Sequence, residues 1–225
     1  MLNHNARITI ITGHFGSGKT EISINLSLKE KEQFPKVAIS DLDVINPYFR
    51  SREAHSLFEQ KGIELIAPKG QLATADLPIV SGEIYRVLHD PNYHVIIDVG
   101  GDKDGATALG QYYNDLKRMD VQMIFVVNIN RPYVSTVDGI IETIQQIERV
   151  SRLKVSALIN NTNLGRETTI ADIQKGLEMT KIVSENLGIP FLYTTISSDR
   201  MEETADFSSN HDVVYIERFM KLPWE

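Results

Sequence analysis

The chain has 225 residues, enough for one α/β domain with a large core, and no shift in composition marks a second domain. Its net charge of −7 argues against a broad basic surface for nucleic acid, and the lack of cysteine removes disulfides, thiolate metal sites and cysteine-held iron–sulfur clusters. The segment Met1 to Arg7 lacks the apolar core of a signal peptide, and no apolar run reaches the roughly 18 to 20 residues of a membrane span, so a cytoplasmic protein without membrane association or a nucleic-acid partner is expected.

Short β-branched runs alternate with amphipathic stretches along the chain, the pattern of repeated βα units on a mostly parallel sheet with helices on both faces. The first run, Ile8 to Ile11, is followed by Gly13-His14-Phe15-Gly16-Ser17-Gly18-Lys19-Thr20, which fits G-x-x-x-x-G-K-[ST] without mismatch, and then by a helical stretch that opens at Glu21. Such a loop, set between a buried strand and a helix, points backbone N–H groups and the positive helix end at a triphosphate. Lys19 is positioned by the motif to reach the β- and γ-phosphates, and Thr20 to bind Mg²⁺.

The second strand, Lys36 to Ser40, runs into Asp41-Leu42-Asp43 at the sheet edge where ligands of open α/β folds bind. Asp43 is the better candidate to face the phosphates, the competing use of such a residue being a cap or turn aspartate. The segment Val44 to Glu53 carries Arg50 and Arg52, either surface arginines or groups that stabilise charge on the γ-phosphate in cis or across a dimer. A short strand near Gly62 to Pro68 and a helix from about Asp76 to His89 follow.

Tyr93 to Val99 is an apolar strand that ends in Asp98 and then Gly100 and Gly101, read as a Walker B element with a glycine switch. Asp98 suits a magnesium ion held through its water shell, and Gly101 a backbone N–H that meets the γ-phosphate. A helix from about Lys103 to Arg118, a strand Val121 to Val127 and a helix Ser135 to Arg152 with an isoleucine stripe come next. The strand Lys154 to Ile159 leads into Asn160-Asn161-Thr162-Asn163, whose amides serve either turns or a purine edge. A helix from about Thr168 to Asn186 and a last strand Phe191 to Ile196 precede Ser198 and Asp199 at the same edge. The closing segment from Val213 to Glu225 shows a helical apolar stripe, expected to dock on the domain.

In this order the motifs resemble the MinD/ParA/CobQ-type nucleotide-binding domains, within the wider P-loop class that includes nitrogenase iron protein and the signal-recognition and metallochaperone GTPases. The resemblance covers nearly the whole chain and implies a three-layer P-loop NTPase fold and an Mg-dependent NTPase that acts as a nucleotide-controlled switch, commonly a nucleotide-dependent homodimer that answers to a protein partner. By position it implies nucleotide contacts from Gly13, His14, Phe15, Gly16, Ser17, Gly18, Lys19, Thr20, Glu21, Gly101, Asn161, Ser198 and Asp199. It implies catalytic roles for Lys19 and Asp43, and Mg²⁺ near Thr20, Asp43 and Asp98. ParA and MinD proteins usually carry a signature lysine where this sequence has His14 and Phe15. The loop is similar to that of the metallochaperone GTPases, but Asn160 to Asn163 lacks the lysine and aspartate of their guanine signature, which favours ATP over GTP. A small-molecule kinase or CobQ-like ligase, a metallochaperone-like GTPase, and a binding module with a vestigial loop are the alternatives.

Overall fold

A computed structural model describes residues 6–42, 55–66, 83–101 and 103–220. The strands are β1 (Ile8–Gly13), β2 (Lys36–Leu42), β3 (Glu64–Ile66), β4 (Tyr93–Val99), β5 (Val121–Val127), β6 (Ala157–Asn160), β7 (Phe191–Ser197) and β8 (Val213–Ile216). They form one sheet in the order β3-β2-β4-β1-β5-β6-β7-β8, and every pairing is parallel. β1 is central because the chain leaves it to build β2 on one side and later β5 on the other. The crevice beyond its carboxyl end is therefore the switch point where open α/β sheets bind ligands.

Buried strands that carry apolar residues in near-continuous runs need cover on both faces. On one face α1 (Lys19–Gln33) and α2 (His55–Lys61) bring Ile22, Leu26 and Phe58 against Val37, Ile39, Ile96 and Ile124. On the other, α3 (Glu83–His89), α4 (Lys103–Gly110), α6 (Val137–Ser151) and α7 (Ile170–Leu187) bury Leu88, Leu109, Ile140, Ile144 and Val183 against Ile10, Ile97 and Phe125. α5 (Tyr113–Leu116) follows α4, and α8 (Ala205–Asn210) packs Phe207 against Ile173, Leu177 and Ile196. The isoleucine stripe of α6 is core packing, as its spacing requires; each such side chain contributes roughly 2 kcal/mol of burial. Thr136 caps α6 through Gly139 N–H, and Thr169 with Asp172 forms a capping box on α7, which ends at left-handed Gly188.

Two expectations change. The helix foreseen from Lys103 to Arg118 is broken after Gly110, whose carbonyl accepts a hydrogen bond from Arg152 at 2.6 Å, and Tyr112 turns wholly inward. The closing segment is not helical at its start: Val213-Val214-Tyr215-Ile216 is β8, paired in register with Thr194 to Ser197, so Phe191 to Ser197 is not the last strand. The expected parallel sheet with helices on both faces is present, and every pairing among the described strands is parallel. No helix among the described residues is long and apolar enough to cross a membrane.

Arg7, just before β1, ties the opposite end of the sheet together. Its guanidinium donates to the carbonyls of Leu88 at 2.5 Å, Tyr93 at 3.1 Å and Asp90 at 3.2 Å, closing the C-terminal end of α3 where carbonyls have no helical donors. Arg7→Ala leaves these carbonyls without their charged donor, and urea unfolding is expected to register a loss of about 2 kcal/mol.

Candidate functional site

The loop between β1 and α1 is built on left-handed backbone at Gly16 (φ 72) and Gly18 (φ 87), the geometry that turns neighbouring N–H groups to one side as a nest for anions. Such a loop holds only if its carbonyls find donors elsewhere. Arg131 Nε donates to Gly16 O at 2.9 Å, and Asn161 Nδ2 to Ser17 O at 2.7 Å. Lys19 Nζ donates to His14 O at 3.1 Å. A Cβ at Gly18 would stand 2.2 Å from Asn161 Nδ2, so both backbone sign and space demand glycine there.

Asn161 is consequently a brace. Its Oδ1 accepts from Thr195 Oγ1 of β7 at 2.7 Å while its Nδ2 holds the loop, so each end of the amide makes a bond within the protein and keeps one further hydrogen-bonding position. Asn128 and Arg131, at the β5 exit, support the loop from the other side; sequence reasoning passed over both, and only their position after an apolar strand could have marked them.

Strand register assembles the charged part. Asp41 of β2 lies beside Asp98 of β4, both nearly inaccessible to solvent. Asp98 accepts from Thr20 Oγ1 at 2.8 Å and from Ser23 Oγ at 3.3 Å, joining β4 to the first turn of α1. Lys19 is buried at the same end of α1. Gly101 completes the junction: a Cβ there would meet Phe15 N at 2.4 Å and Lys19 Nζ at 2.7 Å, so only glycine lets the β4 exit approach the loop this closely. Hydroxyl and carboxylate oxygens from Thr20 and Asp98 are the hard donors that suit Mg²⁺, and two buried carboxylates side by side favour a cation. Asp43, Arg50 and Arg52 lie outside the described residues, as do the 69–74 loop and residues 221–225.

At the loop's outer rim Phe15 is 56% exposed and Tyr133, held at φ 65, is 78% exposed. His14 lies with its ring centroid 5.7 Å from that of Tyr133. Partial burial is the main cause that lowers the His14 pKa, and the charges of Lys19 and Arg131 add to it.

Beside Gly18 opens a cleft of about 230 Å³ lined by Asn163, Arg166, Thr195, Asp199 and Arg200 and by the chain beyond β8. Asp199 sits in the 3-10 turn Ser198–Arg200 and faces this cleft; Ser198 opens the turn without lining it. Glu21 lines the cleft too, but its carboxylate already accepts the N–H groups of Phe219 at 3.0 Å and Met220 at 2.7 Å. Burial, opposed by those two N–H groups, pushes the Glu21 carboxyl up. Arg166, Thr195 and the chain after β8 are contributors that the sequence did not reveal.

Among solved structures the chain is similar to the cell division protein FtsY of Thermotoga maritima, with 17% identity over 84% of this chain and 61% of that one and a TM-score of 0.60. It is also similar to the 54 kDa signal recognition particle protein of Aeropyrum pernix K1 in complex with GDP, with 17% identity, 83% and 40% coverage and a TM-score of 0.53. A third is the nucleotide-binding protein of Archaeoglobus fulgidus in complex with ADP, with 18% identity, 87% and 85% coverage and a TM-score of 0.52. The chain thus spans about three-fifths of the FtsY structure. No protein-family model and no curated protein sequence matches it. At these identities the likeness is one of fold, and that fold is the P-loop NTPase α/β fold.

Asn161→Ala removes a donor to Ser17 O and an acceptor for Thr195. With no nucleotide present, it is expected to lower stability by about 2 kcal/mol in urea unfolding, whereas a side chain reserved for a base edge would leave the ligand-free protein unchanged.

Proposed function

We propose that the protein binds a nucleoside triphosphate with Mg²⁺ at the Gly13 to Thr20 loop, hydrolyses it, and works as a nucleotide-controlled switch of the MinD/ParA/CobQ type. The observation that carries this reading is the junction of loop, helix and strand at Thr20, Ser23 and Asp98, made next to buried Lys19. A loop held open by Arg131 and Asn161 presents N–H groups that need no reorganisation when charge develops on the γ-phosphate, which is the efficient form of electrostatic stabilisation. Lys19 exchanges its bond to His14 O for phosphate oxygens, supplying a positive charge at the transferring group. Thr20 and Asp98 would hold Mg²⁺, which when bound neutralises charge on the β- and γ-phosphates. Asp43 orients the attacking water, and Gly101, packed on Phe15 and Lys19, senses the γ-phosphate through its backbone.

Adenine is proposed over guanine because Asn160 to Asn163 lacks the lysine and aspartate of the metallochaperone guanine signature. Among the neighbours both ADP and GDP occur, so competition between ATP and GTP is the direct measurement. The exposed Phe15 and Tyr133 beside the loop support a triphosphate-dependent homodimer or protein partner at this edge, since aromatic side chains of this kind anchor interfaces. Turnover is expected to be slow without that partner.

Lys19→Ala is expected to abolish hydrolysis. Asp43→Ala is expected to keep nucleotide binding and lower turnover by at least about a hundredfold, as loss of a water-positioning group does. Phosphate release assays with ATP and GTP check both, and normal turnover in Asp43→Ala would overturn its role. Hydrolysis that requires an added metabolite would instead indicate transfer to that acceptor.

A further inference from the structure

Beyond β8 the chain does not leave the domain but crosses the first turns of α1. Asn25 accepts from Glu217 N–H at 2.8 Å and donates to Glu217 O at 2.8 Å, a two-point grip like that of a strand neighbour. One turn earlier, Glu21 accepts from Phe219 N–H and, at 2.7 Å, from Met220 N–H. Met220 is 5% exposed and packs into the apolar layer under α1, so the segment has an anchor at its far end as well. On its near end Ile216, Glu217 and Arg218 line the cleft beside Gly18.

From this arrangement we infer that Glu21 and Asn25 form a latch that fixes the segment Glu217 to Met220 as the outer wall of the nucleoside end of the cleft. The inference rests on the nucleotide reading above and assigns Glu21 a positioning role in place of direct contact with the ligand. Glu21 directly follows Thr20 in α1, so the wall for the nucleoside and the loop for the phosphates are attached to the same helical turn. A charged acceptor that takes two backbone N–H groups is stronger than neutral bonds of the same count, which suits a segment with no helix or sheet of its own to hold it there. The chemistry to be recognised is a nucleoside joined to a polyphosphate: the loop holds the phosphates and the latched wall confines the base and sugar. The two parts of the ligand therefore depend on different residues.

The test compares ATP, GTP and inorganic tripolyphosphate by calorimetry on the wild type, Glu21→Ala, Glu21→Gln and Asn25→Ala, with circular dichroism to confirm folding. Glu21→Ala and Asn25→Ala are each expected to weaken the preferred nucleotide by about tenfold while tripolyphosphate affinity stays within about twofold. Glu21→Gln, which keeps an uncharged acceptor, is expected to lose less. In the ligand-free protein, hydrogen exchange at the Phe219 and Met220 amides is expected to speed up in Glu21→Ala. Wild-type nucleotide affinity in Glu21→Ala, equal losses for nucleotide and tripolyphosphate, or unchanged exchange at those amides would each overturn the latch. A wild type that binds neither tripolyphosphate nor nucleotide would instead overturn the nucleotide reading itself, an outcome distinct from failure of the latch.

Discussion

A backbone loop that turns its N–H groups inward leaves carbonyls on its outer side that must be satisfied, and the carboxyl edge of this protein is arranged around that requirement. Arg131 from the β5 exit, Asn161 from the β6 exit and Lys19 from the loop's own helix each take one of those oxygens. The donors come from three separate elements, so the loop is rigid only in the assembled sheet. Rigidity of this kind sets the field at the site in advance, because dipoles already in place cost nothing to orient when an anion arrives.

The carboxylates present the complementary problem. Asp41 and Asp98 stand side by side under α1, where a buried charge is costly unless hydrogen-bonded or matched by a cation. Hydroxyls of Thr20 and Ser23 meet Asp98, and the buried Lys19 adds positive charge to the same end of the helix. The result is a small region in which hydroxyl donors and a buried ammonium group offset the carboxylates. Gly101 shows how narrow the tolerances are, since one added carbon would strike both the loop backbone and Lys19.

Where sequence reasoning went astray, the competing structure was non-local. The stretch from Val213 onward satisfies a helical apolar stripe, yet its β-branched residues also suit an edge strand, and pairing with Thr194 to Ser197 decides between them. That pairing carries the following residues over α1 and brings Phe219 and Met220 to Glu21, so the role of Glu21 follows from β8. The bracing bonds of Asn161 were out of sight for a related reason. An amide after a strand reads equally well as a base contact or a turn, and only Ser17 and Thr195, far away in the chain, reveal it as a brace.

By itself the sequence determined the alternation of strands and helices, the loop with Lys19 and Thr20, and Asp98 at the end of an apolar strand, because each is a local pattern with a mechanical reason at fixed spacing. Only the tertiary structure decided that Asp41 neighbours Asp98, that Arg131 and Asn161 hold the loop, and that Glu21 binds the chain beyond β8. These depend on strand order and register, and a parallel sheet brings together residues whose separation along the chain carries no local signal.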